Sequence, residues 1–403
     1  MRLVDVQLVR EPHTTSLVGR LEGPGDAPVR ELFFRAPADG ALPLGVSGDP
    51  FLAALLVPAM VAGATLEIDA PVSRRLLRRI GQIQDVLTCW YPERHRIDVV
   101  APVRAASLTP VEGARGVGAF FSGGVDSCYT LIKSHLGWPS LADPITHLVF
   151  VKGFDATLAN ADGLGASAMH LQRIAAEYGR ALITIETNLR DVAVAPWGEM
   201  FHGPALAAVA HCLAPGLHTM LIPASYTYDE LGMPWGSHPM LDELWSSESM
   251  HVVHDGAEAS RIGKLDALIH HAPRLVDRLR VCWAGNAGGP TNCGRCRKCI
   301  RAMIVLGALG YLGKTPSFPA ELPANYARRY GPEDVTVLPK ILAYARATGD
   351  SALVRALERR LRALIWKAGI RQLLRSHPLG AGVLDMRAAL RRRLAAQRRG
   401  GTP

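Results

Sequence analysis

The 403-residue chain predicts an α/β fold: a parallel-sheet domain with an added N-terminal α+β domain and a helical C-terminal region. Three observations carry this. From about residue 115 to 255, strand-like apolar runs alternate with helical stretches of about 10–15 residues, the pattern of crossovers between parallel strands. Before about 110, strand-like and helix-like runs mix. After about 315, apolar residues fall at roughly helical spacing and Arg and Lys accumulate.

The first segment, 1–110, reads "RLVDVQLV", "ELFFRAP" and "HRIDVVAPV" as strands. "PFLAALLVPAMVAGA" and "SRRLLRRIGQIQDVLTCW" read as helices, and no chemical motif is visible. "PVRAASLTPVEGARG" has the composition of a linker. The middle segment, 115–315, opens on the strand "GVGAFFS" and a helix from about Asp126. It continues through "ITHLVFVKGFD", the helix "GLGASAMHLQRIAAEYG", the strand "RALITIETN", the helix "GPALAAVAHCLAP" and the strand "HTMLIPASYTY". The last segment, 316–403, is a basic helical region. It ends in "RAALRRRLAAQRRGGTP", expected as a solvated helix with a frayed end.

Composition narrows the function classes. Hydrophobic content of 48% and charged content of 20% fit a globular protein rather than a disordered one. The net charge of +9 favours anionic partners, but thirteen Lys and Arg against two acids between 355 and 399 place the excess in the tail. Residues 1–10 lack the charged-then-apolar pattern of a secretory signal. The most apolar run, 51–66, is too short to span a bilayer and carries Pro58, so it reads as a buried core helix. A cytoplasmic location and no membrane partner are expected. Whether the chain pairs as a homodimer stays open.

The most informative stretch is "AFFSGGVDSCYTL". Gly123 and Gly124 let the backbone turn tightly and approach a ligand without a Cβ in the way. The helix that follows turns its free amides and positive dipole end toward the loop. Ser122 and Ser127 add hydroxyl donors, so a phosphate or pyrophosphate is the expected guest. In parallel sheets ligands sit at the carboxyl ends of strands, where Ser122, Asp155 and Ala224-Ser225 fall. The string is neither GxxxxGK[ST] nor GxGxxG. It resembles the SGGxDS signature of the PP-loop ATP pyrophosphatases, which transfer AMP from ATP to a substrate oxygen and release pyrophosphate. The resemblance implies that Ser122, Gly123, Gly124, Val125, Asp126 and Ser127 hold the phosphates, with Asp126 close to Mg²⁺. It places Val151 to Asp155 near the adenosine, although Asp155 could equally be a turn residue.

A second segment, "HDGAEASRIGKLDALI", opens a helix with Ser260, Arg261 and Lys264. The resemblance implies that such a helix start brings a basic side chain to the phosphates, where fixed cations offset the charge of leaving pyrophosphate. The alternative for Lys264 is a solvated helix face. Ser225 ends a strand beside a long loop, "SYTYDELGMPWGSHPMLDELWSSES", whose Asp229, His238 and Asp242 are candidate substrate contacts. His238 could instead cap or orient the loop.

"VCWAGNAGGPTNCGRCRKCIRAM" sets Cys293, Cys296 and Cys299 in two overlapping C-x₂-C steps, with ten residues between Cys282 and Cys293. Four thiolates suit a closed, tetrahedral, structural Zn²⁺ site. An iron–sulfur cluster stays open, because spacing alone does not fix the metal. Together the loop, the Lys-bearing helix start and the cysteines resemble the 7-cyano-7-deazaguanine synthase branch, which activates a carboxylate with ATP and uses ammonia to make an amide and then a nitrile. The resemblance covers about 115–305. The flanking segments have no counterpart in it, and the Cys282 spacing and "KGFD" strand end are variant.

The expectation is therefore an ATP- and Mg²⁺-dependent, AMP-forming enzyme. Asp126, Lys264 and Arg261 would be its catalytic residues, and a small carboxylate or amide its acceptor. The N-terminus reads Met-Arg-Leu without a leading cysteine, and Cys128 and Cys212 read as buried small residues. No glutaminase is visible, so ammonia or an amine would be the nucleophile. The alternative is a PP-loop RNA-modifying enzyme for tRNA thiolation, with the basic tail on phosphates. Against it, a sulfur relay needs spare cysteines. A non-enzymatic nucleotide-binding protein is a third reading.

Overall fold

The computed structural model describes residues 1–23, 28–40, 42–104, 115–140, 142–155, 157–282, 292–331, 334–335 and 337–376. Ten strands form one sheet: β1 (Arg2–Arg10), β2 (Thr14–Glu22), β3 (Arg30–Pro37), β4 (Leu66–Ile68), β5 (Val99–Val100), β6 (Gly116–Phe120), β7 (His147–Lys152), β8 (Ala181–Thr187), β9 (Leu217–Pro223) and β10 (His251–Asp255). Their spatial order is β10-β9-β6-β7-β8-β3-β2-β1-β4-β5. The run β10 to β8 is parallel throughout. β8, β3, β2 and β1 then pair antiparallel, and β1, β4 and β5 pair parallel. The result is an α/β sheet, mostly parallel and compatible with a nucleotide-binding domain.

Twelve α-helices lie among the described residues: α1 (Asp49–Ala62), α2 (Arg74–Trp90), α3 (Val125–His135), α4 (Ala161–Glu177), α5 (Leu189–Val192), α6 (His202–Cys212), α7 (Pro239–Asp242), α8 (Arg261–His271), α9 (Pro273–Val276), α10 (Arg297–Ala308), α11 (Leu338–Ala347) and α12 (Ser351–Ser376). α1 is the apolar run of the first segment. It is apolar on every side, and every residue from Asp49 to Met60 is buried, Pro58 included. α2 carries its apolar residues on one stripe and buries Leu76, Ile80, Ile83 and Leu87. None of these helices is long and apolar enough to cross a membrane.

The chain divides into two compact units, Met1–Trp283 and Ala284–Pro403. In the first, one hydrophobic core runs without a break from Leu3, Phe34 and Phe51 through Ile185 and Phe201 to Met220 and Val252. Residues of the 1–110 and 115–255 segments thus share one sheet and one core, joined where Phe34 and Arg35 of β3 pair with Thr187 and Glu186 of β8. The segment read as a linker falls largely on 105–114, outside the described residues. "HRIDVVAPV" forms a strand only at Val99–Val100. In the second unit α10, α11 and α12 pack around Ile300, Ile304, Tyr330, Leu338, Ile341 and Leu357. Arg360 ties this core by donating to the Tyr330 carbonyl at 2.8 Å. The frayed basic end expected after 376 lies outside the described residues.

The strand order fixes where a ligand can go. β6 lies between β7 and β9: the chain builds outward from β6 to β7 and β8, then returns to the other side for β9 and β10. Crossovers on the two sides of such a strand leave a crevice at its carboxyl end. The SGGVDS loop follows β6.

Candidate functional site

The loop is built by a strand that ends at Phe120 and a helix that starts at Val125. Gly123 has φ +72°, a conformation an L side chain rarely adopts, and a Cβ there would stand 2.8 Å from the Leu171 side chain. Its carbonyl accepts from the Arg280 backbone N–H at 2.8 Å, which pins the loop. Gly124 is the N-cap of α3, and no side chain caps that helix, so its first-turn amides stay available to a ligand. Ser127 Oγ donates to the Gly124 carbonyl at 3.1 Å. The Gly124 N–H donates to Ser122 Oγ at 3.4 Å. Val125 is packed in the core, so only its backbone can face a ligand.

Across the crevice, α8 begins at Arg261 with Ser260 as its N-cap, whose Oγ accepts from the Gly263 N–H at 3.3 Å. Ser260 is thus occupied in holding the helix start. Arg261 Nη2 reaches Asp126 Oδ2 at 2.8 Å, and Lys264 Nζ reaches Asp126 Oδ1 at 3.3 Å. Lys264 also donates to the Ala224 carbonyl at 2.6 Å. It is 2% exposed, so it is not the solvated lysine its position on a helix allows. The lysine therefore spans the crevice from the first turn of α3 to the residue after β9. Burial pushes the Asp126 carboxyl up, but the Arg261 and Lys264 cations outweigh it and hold Asp126 below the ordinary carboxylate range.

The other predicted residues fall around this centre. Val151 lies in β7, half-buried, and Asp155 and Ser225 are exposed beyond the ends of β7 and β9. Of the loop candidates, His238 caps α7: its Nδ1 accepts from the Met240 N–H at 3.1 Å. Asp242 is fully buried and accepts from Ser237 Oγ at 2.7 Å and pairs with His254 Nδ1 at 2.7 Å. Both shape the loop. Asp229 is exposed and accepts from the Thr227 hydroxyl. Cys128 and Cys212 are buried, and burial pushes both thiols up, as expected of inert packing residues.

Sequence reasoning missed a third cluster. Lys133, two turns into α3, donates to Asp255 Oδ1 and Glu258 Oε1, both at 2.9 Å. Thr130 Oγ1 donates to Asp255 Oδ2 at 2.7 Å, and the Tyr129 hydroxyl to Glu258 at 3.1 Å. Burial and then Glu258 push the Tyr129 phenol up to about 12. Glu258 is held below its ordinary value: burial is the largest single effect and acts upward, but the Lys133 hydrogen bond and charge, a backbone hydrogen bond and the Tyr129 hydroxyl together outweigh it. The only sequence signal was the position of Asp255 at a strand's end.

The four cysteines named from spacing come together: the Sγ atoms of Cys282, Cys293, Cys296 and Cys299 lie within 4.8 Å of one another. Cys293 and Cys299 Sγ are 3.8 Å apart. A tetrahedral ion with metal–sulfur bonds of about 2.3 Å would set its ligands about 3.8 Å apart. The Cys296 N–H points at Cys293 Sγ at 3.4 Å and the Cys299 N–H at Cys296 Sγ at 3.5 Å, and both bonds stabilise thiolates. The donor set fits, and the cluster could hold a metal such as zinc.

Fold and site together define an α/β protein with a glycine-turned loop and an uncapped helix start at the switch point of a mostly parallel sheet, and a cluster of four thiols. In comparisons with known proteins, no family model, no curated protein and no solved structure matches the chain.

Proposed function

We propose that the chain is an ATP-dependent, AMP-forming enzyme of the PP-loop type. It would activate a carboxylate or amide oxygen of a small molecule for attack by ammonia or an amine, as the 7-cyano-7-deazaguanine synthases do. One observation carries the reading. Asp126 of the loop meets both Arg261 and Lys264, 135 and 138 positions away, at the carboxyl end of the parallel strands. Two cations, uncapped helix amides and one carboxylate meet the needs of a polyphosphate and its divalent ion.

ATP is the substrate of this site. Its polyphosphate would lie on the Gly123–Ser127 amides and hydroxyls. Mg²⁺, held with the help of Asp126, would neutralise charge on the polyphosphate. The bond to be made joins the acceptor oxygen to the α-phosphorus, and the bond to be broken joins that phosphorus to the bridging oxygen of pyrophosphate. Arg261 and Lys264 stand where negative charge accumulates on the leaving group. The buried lysine is anchored on the Ala224 carbonyl, so it needs little reorganisation to do so. The thiol cluster is the structural zinc site of this reading, since four protein ligands leave no open position.

The test incubates the protein with ATP, Mg²⁺ and fractionated metabolites and measures AMP and pyrophosphate together. Asp126→Ala, checked for folding by circular dichroism, is the control. Equal amounts of AMP and pyrophosphate, lost in the variant, are expected. ADP as product, or no turnover with any fraction, would overturn the proposal.

A further inference from the structure

A cleft of about 500 Å³ lies beside Lys264, and the phosphate loop does not use it. Its walls are the rings of Tyr129, Trp138 and Tyr228, and its charged groups are Lys133, Asp255 and Glu258. Two carboxylates face one ammonium there, and His254, which also lines the cleft, pairs with the Asp242 carboxylate at 2.7 Å, so these groups together are net negative. Lys133 is spent on both carboxylates, and Asp255 is buried and accepts on both oxygens. Glu258 alone is well exposed, with 43% of its side chain accessible. An anionic guest would meet two carboxylates and a lysine already paired. A cationic guest meets an accessible carboxylate and aromatic faces.

The cleft adjoins the proposed reaction centre. A Cβ on Gly256, whose φ is +90°, would stand 3.4 Å from the Tyr129 ring and 3.6 Å from Lys264 Nζ. Lys264 Nζ lies 5.7 Å from the Tyr129 ring centroid. Gly256 and Tyr129, which line the cleft, are thus neighbours of the lysine. The cleft's volume is that of a site for a small organic molecule, far more than an ammonium ion fills.

We infer that this cleft binds the nucleophile, and that the nucleophile is an organic primary amine, held as its ammonium by Glu258 and the aromatic walls. Its role as nucleophile rests on the adenylation reading above; its binding does not. In the reaction the ammonium gives one proton to solvent by way of Glu258. The amine lone pair then forms a C–N bond to the activated carbon, and the C–O bond to phosphate breaks. AMP leaves with that electron pair, and a second proton on nitrogen passes to solvent. No oxidant or reductant is needed.

The test is calorimetric titration of the full-length protein with phenethylammonium, 2-phenylethanol and phenylacetate. The same titrations are made on Glu258→Gln and on Tyr228→Ala, two changes at exposed side chains. Saturable binding of the ammonium is expected, with the alcohol and the carboxylate each weaker by about tenfold or more. Glu258→Gln should weaken the ammonium by about tenfold and Tyr228→Ala by about threefold. Phenylacetate binding as well as the ammonium, no binding of the ammonium, or unchanged affinity in Glu258→Gln would each overturn the inference. AMP release is measured separately. Amine binding without AMP release in any fraction sinks the enzymatic reading alone, and AMP release without amine binding sinks this inference alone.

Discussion

Replacing Asp126 by Asn should destabilise the first unit more than replacing Lys264 by Met. Asp126 is the counter-charge for both Arg261 and Lys264. Asn leaves two cations facing each other, one of them on a side chain only 2% exposed. Stranding a buried charge costs about 3–5 kcal/mol. Arg261 is 24% and Asp126 19% exposed, so solvent screens part of this and about 3 kcal/mol is expected. In Lys264→Met, Asp126 keeps Arg261, and the loss is one ion pair and the bond to the Ala224 carbonyl, about 1–2 kcal/mol. For a unit of this size about 2 °C of melting temperature accompanies each kcal/mol. Thermal unfolding should therefore fall by about 6 °C for Asp126→Asn and about 2–4 °C for Lys264→Met. The double variant should be no less stable than Asp126→Asn, because it removes the stranded ammonium. A larger loss in Lys264→Met, or a gain in Asp126→Asn, would refute mutual compensation as what holds the site together.

Gly123→Ala should lower stability by about 1–2 kcal/mol and abolish AMP release, because φ is +72° and Leu171 occupies the Cβ position; equal denaturation midpoints would contradict this. Metal analysis should find about one zinc per chain. Cys296→Ser should lose it and unfold at lower temperature, whereas iron with visible absorbance would replace zinc by a cluster. His211 is buried and His202 half-buried, and desolvation holds both below the ordinary imidazole value, so each takes up its proton at lower pH in the folded than in the unfolded chain. The unfolded chain takes up the protons first, so their stabilisation is complete above pH about 6.5 and is lost as pH falls. At most about 2.7 kcal/mol is lost per pH unit while both titrate only when unfolded. A flat melting temperature from pH 7.5 to 5.5 would speak against it.

Much of the site was legible because its signals are local. Gly123 marks a turn at positive φ, Gly124 an uncapped helix start, and Ser260 ahead of Lys264 a second helix start. Each follows from backbone chemistry within a few residues. The C-x₂-C steps are likewise a geometry that short loops impose. His238 and Asp242 could be named but not assigned. Whether a polar side chain meets a ligand or the chain's own backbone depends on what packs against it, and here both turn inward.

By itself the sequence determined the strand–turn–helix around Gly123, the α8 start at Ser260, the cysteine spacing and the alternation of strands and helices. Tertiary structure alone decided that β3 would pair with β8, which merges two segments read as separate into one sheet and core. It also decided that Lys264 would close the switch-point crevice onto Asp126 and Ala224, and that Lys133 would meet Asp255 across 122 residues. The physical reason is range. Turn and cap preferences act over a few bonds, whereas strand order and buried ion pairs are set by which apolar faces cover one another once the whole chain has packed.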